Sequence, residues 1–509
     1  MGHNDLVVPE IEMPAHVSSA VAAYPELSCF GEPIGVPSGG VWPITDIYCA
    51  GKESTFEFLE NVLLEVMEVF PSPYIHVGGD EATRTNWEKC EDCQHRIKKE
   101  GLKGTAALQS YFIQRMERFL SDHGRTLIGW DEILEGGLPS GATVMSWRGI
   151  QGGWEASERG HDVIMTPGTV YLNQYQGDPD HEPLAFGGYV PLNQVYAFDP
   201  VVDSMSVNQK QHILGSQANL WSEYITDGKE SEYMLFPRLV ALSEALWSPR
   251  EQKDWKRFSN IVPRLFERLD AMGVNYAKSA YAVTAQSELE QDRKIRVSLH
   301  NELYGSEIRY VLDDGALSTE SPQYTNPIPL EETATVRAGV FKLGKMVGDT
   351  LVKEFRFHKA VGKTVEYSPI YNDRYQGNGQ GTLTNVLRGS KNFHDGQWLA
   401  WLEKNPTVTI DLENLSEISS VTVGSMENQG SGIYFPTKVE VLLSKDGRDF
   451  KKVAEWRREH RPNGNVALAN FLVSFTPQQA RWIKVEVTNL SHPPTGGSCF
   501  VFLDELIVE

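Results

Sequence analysis

The 509-residue chain has no run of eighteen apolar residues, so no segment of it can cross a bilayer as a helix. It is also poor in positive charge. Lys and Arg number 47 against 68 Asp and Glu, a net charge of −21. A surface of that sign repels phosphate backbones and anionic headgroups, which argues against nucleic acid or an acidic membrane as partner. Neutral or amino-sugar ligands remain compatible. Cysteine is scarce and odd in number: Cys29, Cys49, Cys90, Cys93 and Cys499. An odd count excludes a fully paired framework within one chain. Cys90-Glu-Asp-Cys93 has metal or redox spacing, but no second CxxC or CxxH accompanies it. Plain thiols, or a Cys29–Cys49 or Cys90–Cys93 disulfide, are therefore expected in preference to zinc. Met1-Gly-His-Asn-Asp5 leads straight into a strand pattern, and no signal peptide is expected there.

Hydrophobic residues make up 40% of the chain and include 12 Trp, 21 Phe and 19 Tyr, enough for sizeable cores in more than one domain. The first 250 residues repeat one pattern: a short apolar strand, a polar and aromatic loop, an amphipathic helix. Strands are expected at Leu6–Ile11, Tyr74–Val77, Thr126–Gly129, Thr143–Ser146, Asp162–Met165 and His212–Ser216. Helices are expected at Thr55–Val69, Ala106–Leu120, Leu235–Trp247 and Trp255–Met272. Such alternation implies a parallel sheet with right-handed crossovers. Each strand is followed by polar or aromatic residues: Glu12 and His16, Asp80 and Glu81, Trp130 and Asp131, Trp147, Tyr171 and Asn173, Trp221 and Glu223. Functional groups converging from several strand ends are how a (β/α)8 barrel builds a site. The fold class expected is thus α/β: a partial (β/α)8 barrel with about six of its eight units in residues 1–285, followed by two antiparallel β-sandwich modules, 292–360 and 363–509.

His76-Val-Gly-Gly-Asp80-Glu81 carries the chemistry. Two adjacent carboxylates follow a pair of glycines at a strand end. Neighbours on an extended chain point to opposite sides, so Asp80 and Glu81 are expected to hold different roles, one donating a proton and one remaining ionised. A capped helix start is the other reading of an Asp-Glu pair, and this stretch alone leaves both open. No partner carboxylate is identifiable at the separation that a two-carboxylate retaining glycosidase needs.

Six motifs in order resemble the family 20 glycoside hydrolases, the β-N-acetylhexosaminidases. They are Pro9-Glu-Ile-Glu-Met-Pro-Ala-His16, His76-Val-Gly-Gly-Asp-Glu81, Gly129-Trp-Asp-Glu132, Ser146-Trp147, Tyr171-Leu-Asn173 and Asn219-Leu-Trp-Ser-Glu223. The resemblance implies hydrolysis of terminal β-linked GlcNAc or GalNAc, with the substrate's own 2-acetamido oxygen as nucleophile. It implies that Glu81 acts as acid and then base, and that Asp80 and Tyr171 orient the acetamido group. Trp130, Trp147 and Trp221 would wall the sugar, Asn173 and Glu223 would bind hydroxyls, and His16 and His76 would hold the acid in place. No metal or other cofactor is implied. Asn173 stands where the family usually has Asp, which could shift affinity or the choice between GlcNAc and GalNAc.

The family's first two barrel units, one of which brings an arginine to the sugar, are not found. The expectation is a truncated enzyme that turns over a chromogenic GlcNAc glycoside poorly by itself, its parent being secreted or periplasmic. A glycan-binding protein with an inactive barrel is the alternative. Residues 308–329 resemble the small β-sandwich that follows many hexosaminidase barrels. Residues 363–509 look like a discoidin-type (factor V/VIII C) sandwich, in which Trp398 and Trp401 are expected in the core sooner than as a sugar platform.

Overall fold

A computed structural model of the chain describes residues 6–36, 43–137, 141–179, 181–290, 294–464, 466–493 and 498–509. Met1–Asp5, where the expected chain start falls, lies outside them. Two compact units emerge: 1–172, 194–223 and 239–253 form the first, and 173–193, 224–238 and 254–509 form the second.

In the first unit six parallel strands pair strictly in chain order: β1 (Glu10–Met13), β2 (Tyr74–Gly78), β3 (Thr126–Trp130), β4 (Thr143–Ser146), β5 (Val163–Met165) and β6 (Ile213–Ser216). Sequential parallel order is the order of barrel strands, and among the described residues every crossover carries α-helix except β3–β4, which has a 3-10 turn at Asp131–Leu134. Helices α1 (Ser18–Ala23) and α2 (Glu53–Val69) follow β1, while α3 (Thr85–Lys89), α4 (Glu91–Lys99) and α5 (Thr105–Asp122) follow β2. After their first residue, β2 and β3 are buried throughout, as is the whole of β4. A parallel sheet covered on both faces requires this, which is why these strands read as apolar runs instead of alternations.

The first strand differs from its expected range Leu6–Ile11. Leu6 and Val7 are exposed, and pairing with β2 starts at Glu10. Pro9 has no N–H to give a ladder, but its carbonyl still accepts from His76 N at 2.9 Å. The helix expected over Leu235–Trp247 is interrupted in the same way: one helix ends at Leu235 and the next starts at Arg238, after Pro237.

The second unit is mainly antiparallel. One three-stranded sheet runs in the order Ile328–Leu330, Ile295–His300, Thr284–Leu289; another runs Lys345–Phe355, Ala334–Lys342, Glu307–Leu312. A seven-stranded sheet follows, built on two long strands, Thr407–Glu427 and Ala467–Thr488. Their pairing shifts register between Asp411 and Ser416 and again between Ile418 and Ser420. Such irregularities bend a ladder, and the buried face closes over a core that includes Ile410, Val421, Val439, Val485 and Leu503. Trp398 and Trp401 are buried here, their indole N–H groups satisfied by the carbonyls of Ser390 and Pro369.

All five cysteines are thiols, so neither expected disulfide is formed. Instead Cys29, Cys49, Cys90 and Cys93 gather around one point. Among the described residues, no helix is long and apolar enough to cross a membrane.

Candidate active site

The acid pair lies just beyond β2, where three left-handed residues flank Asp80: Gly78 (φ 67°), Gly79 (φ 100°) and, after the aspartate, Glu81 (φ 51°). A β-carbon on Gly78 would meet Glu12 Oε2 at 1.9 Å, so only glycine lets the strand end pass this carboxyl. Glu81 is strained in a region that residues with side chains seldom adopt, a cost typical of functional turns. The consequence overturns the geometry expected of an extended chain. Asp80 and Glu81 do not point to opposite sides: both carboxylates reach the same atom, His16 Nε2, at 3.2 and 3.3 Å. Helix capping is also excluded, because α3 starts only at Thr85.

His16 sits in the loop after β1 and is itself left-handed, φ 56°. Its hydrogen bonds to Asp80 and then to Glu81 raise its pKa to about 10, making it a cation at neutral pH. Beneath the pair, burial and then the negative charges of Asp80 and Glu10 push the Glu12 carboxyl up to about 9, so it is protonated at neutral pH. Glu12 Oε2 and Asp80 Oδ1 are both buried without a hydrogen-bond partner. His76 does not touch the acid pair. Its Nδ1 lies 3.0 Å from Glu10 Oε1 and its ring packs 4.7 Å from Trp130. Burial favours a neutral Glu10, but the hydrogen bond and charge of His76 outweigh it and hold that carboxyl below its usual range.

An aromatic wall rises from the ends of the next strands. Trp221 lies 6.2 Å from Trp130, 6.4 Å from Trp147 and 4.8 Å from Tyr171, measured between ring centres, at steep angles in each case. Each indole is oriented by a carboxylate where one is within reach: Trp130 Nε1 donates to Glu10 at 3.1 Å and Trp147 Nε1 to Glu132 at 2.9 Å. Burial pushes Glu132 up to about 8, while Arg148 pairs with the adjacent Asp131 at 2.7 Å. The Tyr171 hydroxyl donates to the Trp147 carbonyl at 2.8 Å. Burial, followed by the charges of Asp131, Glu132 and Glu81, keeps this phenol protonated far above neutrality.

Eight of the ten expected residues thus gather in the first unit: His16, His76, Asp80, Glu81, Trp130, Trp147, Tyr171 and Trp221. Glu223 is exposed on the same unit and makes no described hydrogen bond or ion pair. Asn173 belongs to the second unit, where it is buried with its side-chain oxygen unpartnered, its backbone carbonyl accepting from Phe186 N at 3.1 Å.

Residues 5–250 match the glycosyl hydrolase family 20 catalytic domain. They are a family 20 domain. Residues 288–352 match the chitobiase/beta-hexosaminidase C-terminal domain, and 368–502 the F5/8 type C domain. The beta-hexosaminidase of Porphyromonas gingivalis is 49% identical over 273 residues, covering 53% of this chain and 35% of that protein. The beta-hexosaminidase of Vibrio furnissii is 33% identical over 242 residues, covering 47% and 39%. A solved β-N-acetylhexosaminidase of Bacteroides fragilis is 33% identical, with 54% of this chain and 55% of that chain covered at a TM-score of 0.46. The chain spans less than two thirds of the length of each of these relatives.

Beyond the residues assigned a role from sequence, the site includes Glu10 and Glu132, together with Glu12, which the sequence marked only as a strand-end residue. The signal was present in Pro9-Glu-Ile-Glu-Met13: Glu10 and Glu12 alternate on β1 and so share a face. Acids on one face at a strand's C-terminal end belong to the mouth of the sheet. Glu132 lies in the Gly129-Trp-Asp-Glu132 motif, but nothing local marks it as the acceptor for Trp147.

Proposed function

We propose that the family 20 domain carries an exo-β-N-acetylhexosaminidase site, removing terminal β-linked GlcNAc or GalNAc with retention of configuration. One observation carries the reading: Asp80 and Glu81 converge on a single imidazole nitrogen. In a two-carboxylate retaining enzyme the acid and the nucleophile flank the anomeric carbon. Carboxylates held by one nitrogen lie on the same side of any sugar bound between wall and pair. The nucleophile then has to come from the substrate, and the 2-acetamido oxygen is the group within reach of C1.

In this reading Glu81 gives its proton to the glycosidic oxygen as the C1–O bond breaks and the acetamido oxygen bonds to C1. Asp80 accepts the acetamido N–H and balances the positive charge that grows on the resulting oxazolinium. Glu81, now a carboxylate, takes a proton from the water that reopens the ring at C1. Tyr171 is a protonated donor beside Trp221, and turning its hydroxyl from the Trp147 carbonyl to the acetamido oxygen would aim the nucleophile. Trp130, Trp147 and Trp221 supply a rigid apolar wall for the methyl group and the sugar face. His16 is a cation in contact with both acids; Glu81 has to face the glycosidic oxygen to act on it, so substrate binding has to loosen the His16–Glu81 contact.

The test compares the parent chain and Glu81→Gln on 4-nitrophenyl N-acetyl-β-glucosaminide and on the matching 2-hydroxy glucoside. We expect Glu81→Gln to lower kcat by about 10²- to 10⁴-fold, and the glucoside to remain uncleaved by both. Full activity in Glu81→Gln would remove the acid assignment; equal turnover of the glucoside would remove the substrate's role as nucleophile. Saturable GlcNAc-glycan binding with no hydrolysis by the parent would favour a binding protein instead.

A further inference from the structure

The four gathered thiols have no part in the sugar site. Cys29 follows α1 in the loop after β1, and Cys49 lies twenty residues further along the same loop. Cys90 and Cys93 bracket the start of α4, beyond β2. Their sulfurs all lie within 4.8 Å of one another, with Cys29–Cys93 at 3.8 Å, Cys49–Cys90 at 3.7 Å and Cys49–Cys93 at 3.6 Å. The fifth cysteine, Cys499, is elsewhere and donates to the Leu490 carbonyl.

These spacings discriminate between the things four cysteines can do. A disulfide needs sulfurs at about 2.05 Å, and each of the three short pairs stands well beyond that length. A tetrahedral zinc with Zn–S bonds of about 2.3 Å requires sulfur–sulfur edges of about 3.8 Å, the geometric multiple of that bond length. Three of the six edges, at 3.6 to 3.8 Å, match it, and the other three are no longer than 4.8 Å. An iron–sulfur cluster places its own iron and sulfide atoms between the cysteine sulfurs and needs a wider ring of ligands than this.

We propose that Cys29, Cys49, Cys90 and Cys93 form a structural zinc site in which one Zn²⁺ is held by four thiolates. Loading it is not a redox step: Zn²⁺ replaces four S–H protons, which pass to solvent. The surroundings are built for the resulting negative charge. Cys93 sits in the first turn of α4, at the positive end of the helix. Lys52 Nζ donates to the carbonyls of Glu26 and Ser28 at 2.9 and 2.6 Å, fixing the stretch that delivers Cys29, and Cys49 N donates to the Leu27 carbonyl at 2.8 Å. Gly51 is needed for the approach: a β-carbon there would come within 2.2 Å of the Asp92 backbone and 2.3 Å of Cys93 N. Arg96 on α4 closes the contact by donating to the Gly51 carbonyl at 3.2 Å.

Two ligands come from the loop that carries His16 and two from the segment that follows Asp80 and Glu81. The metal therefore ties together the two loops whose side chains meet at the acid pair, and acts on the site only through their positions.

The test uses the full chain, purified in reductant without chelator. Metal analysis is expected to find about one zinc per chain, and titration with a mercurial should release it as about four thiols react. Exchange of the bound metal for Co²⁺ should give the intense sulfur-to-cobalt absorption and visible bands of a tetrathiolate. Cys90→Ser and Cys93→Ser should lose stoichiometric metal and Cys499→Ser should keep it. Because the first two variants could misfold, the cobalt spectrum of the parent decides independently. Disulfides between these cysteines in the freshly isolated protein, iron bound in place of zinc, or a cobalt spectrum with fewer than four sulfur ligands would each overturn the proposal.

Discussion

Within a few ångströms of His16, individual residues hold protonation states that no sequence pattern announces. Glu12 is the clearest case. Its carboxyl titrates at about 9 in the folded chain, against about 4.3 for a free glutamate. A group whose folded pKa is raised contributes most to stability below its unfolded value, and that contribution is lost as pH rises through the folded one. Glu12 should therefore cost stability progressively between about pH 4.3 and pH 9. Glu12→Gln keeps the shape and cannot ionise. Its melting temperature is expected to match the parent near pH 4, to exceed it by a growing margin up to pH 9, and to hold that margin beyond. Thermal melts at intervals across this range check it, and a constant difference would show that burial of Glu12 is not linked to its charge. The placement of Asp80, Glu81 and the tryptophans was legible from residue types at strand ends. Their convergence was not, because it depends on three positive-φ residues that flank Asp80, and only two of those three are glycines.

At the scale of elements, legibility followed the strength of local signals. The helix Trp255–Met272 is found at its expected limits: Asp254 caps it by accepting from Arg257 N at 3.1 Å, and Gly273 closes it in the left-handed conformation. The short helices α3 and α4 went unseen because α4 is strongly polar and α3 is a single turn, so neither shows a long apolar period. Yet Cys90 joins these two helices and Cys93 lies on α4. The turn after β2 depends on glycine in a way that can be measured. Gly78→Ala forces a side chain into left-handed backbone, costing about 1–2 kcal/mol, and drives the new methyl into Glu12. We expect urea unfolding to show at least that loss, together with reduced turnover from a displaced acid pair; an unchanged midpoint would mean that the turn relaxes freely.

For the molecule as a whole, length, charge and the change of texture near residue 290 already imply several domains and an α/β region followed by β modules, and the three matched families occupy those regions in that order. In the F5/8 type C domain the two conspicuous tryptophans are core and not platform. Trp398 is 2% exposed, and a β-carbon on Gly389 would meet its ring at 2.2 Å, so backbone packs directly on the indole. Trp398→Ala should destabilise this domain by about 3–5 kcal/mol, as expected for emptying a large buried aromatic site. Chemical unfolding of the full chain, followed by the fluorescence of the remaining tryptophans, measures it. A loss of glycan binding with unchanged stability would instead place Trp398 at a sugar surface.

By itself the sequence determined the parallel α/β region, the order of its strands, the family and most of the side chains that face the site, because each rests on local periodicity or on residues adjacent in the chain. Tertiary structure decided what those side chains do to one another. That Asp80 and Glu81 share one imidazole, that Glu12 is neutral beneath them, and that four cysteines from two separate loops meet at the spacing of a single metal all depend on through-space distances. Charge interaction and metal coordination act over a few ångströms, whatever number of residues separates the partners along the chain.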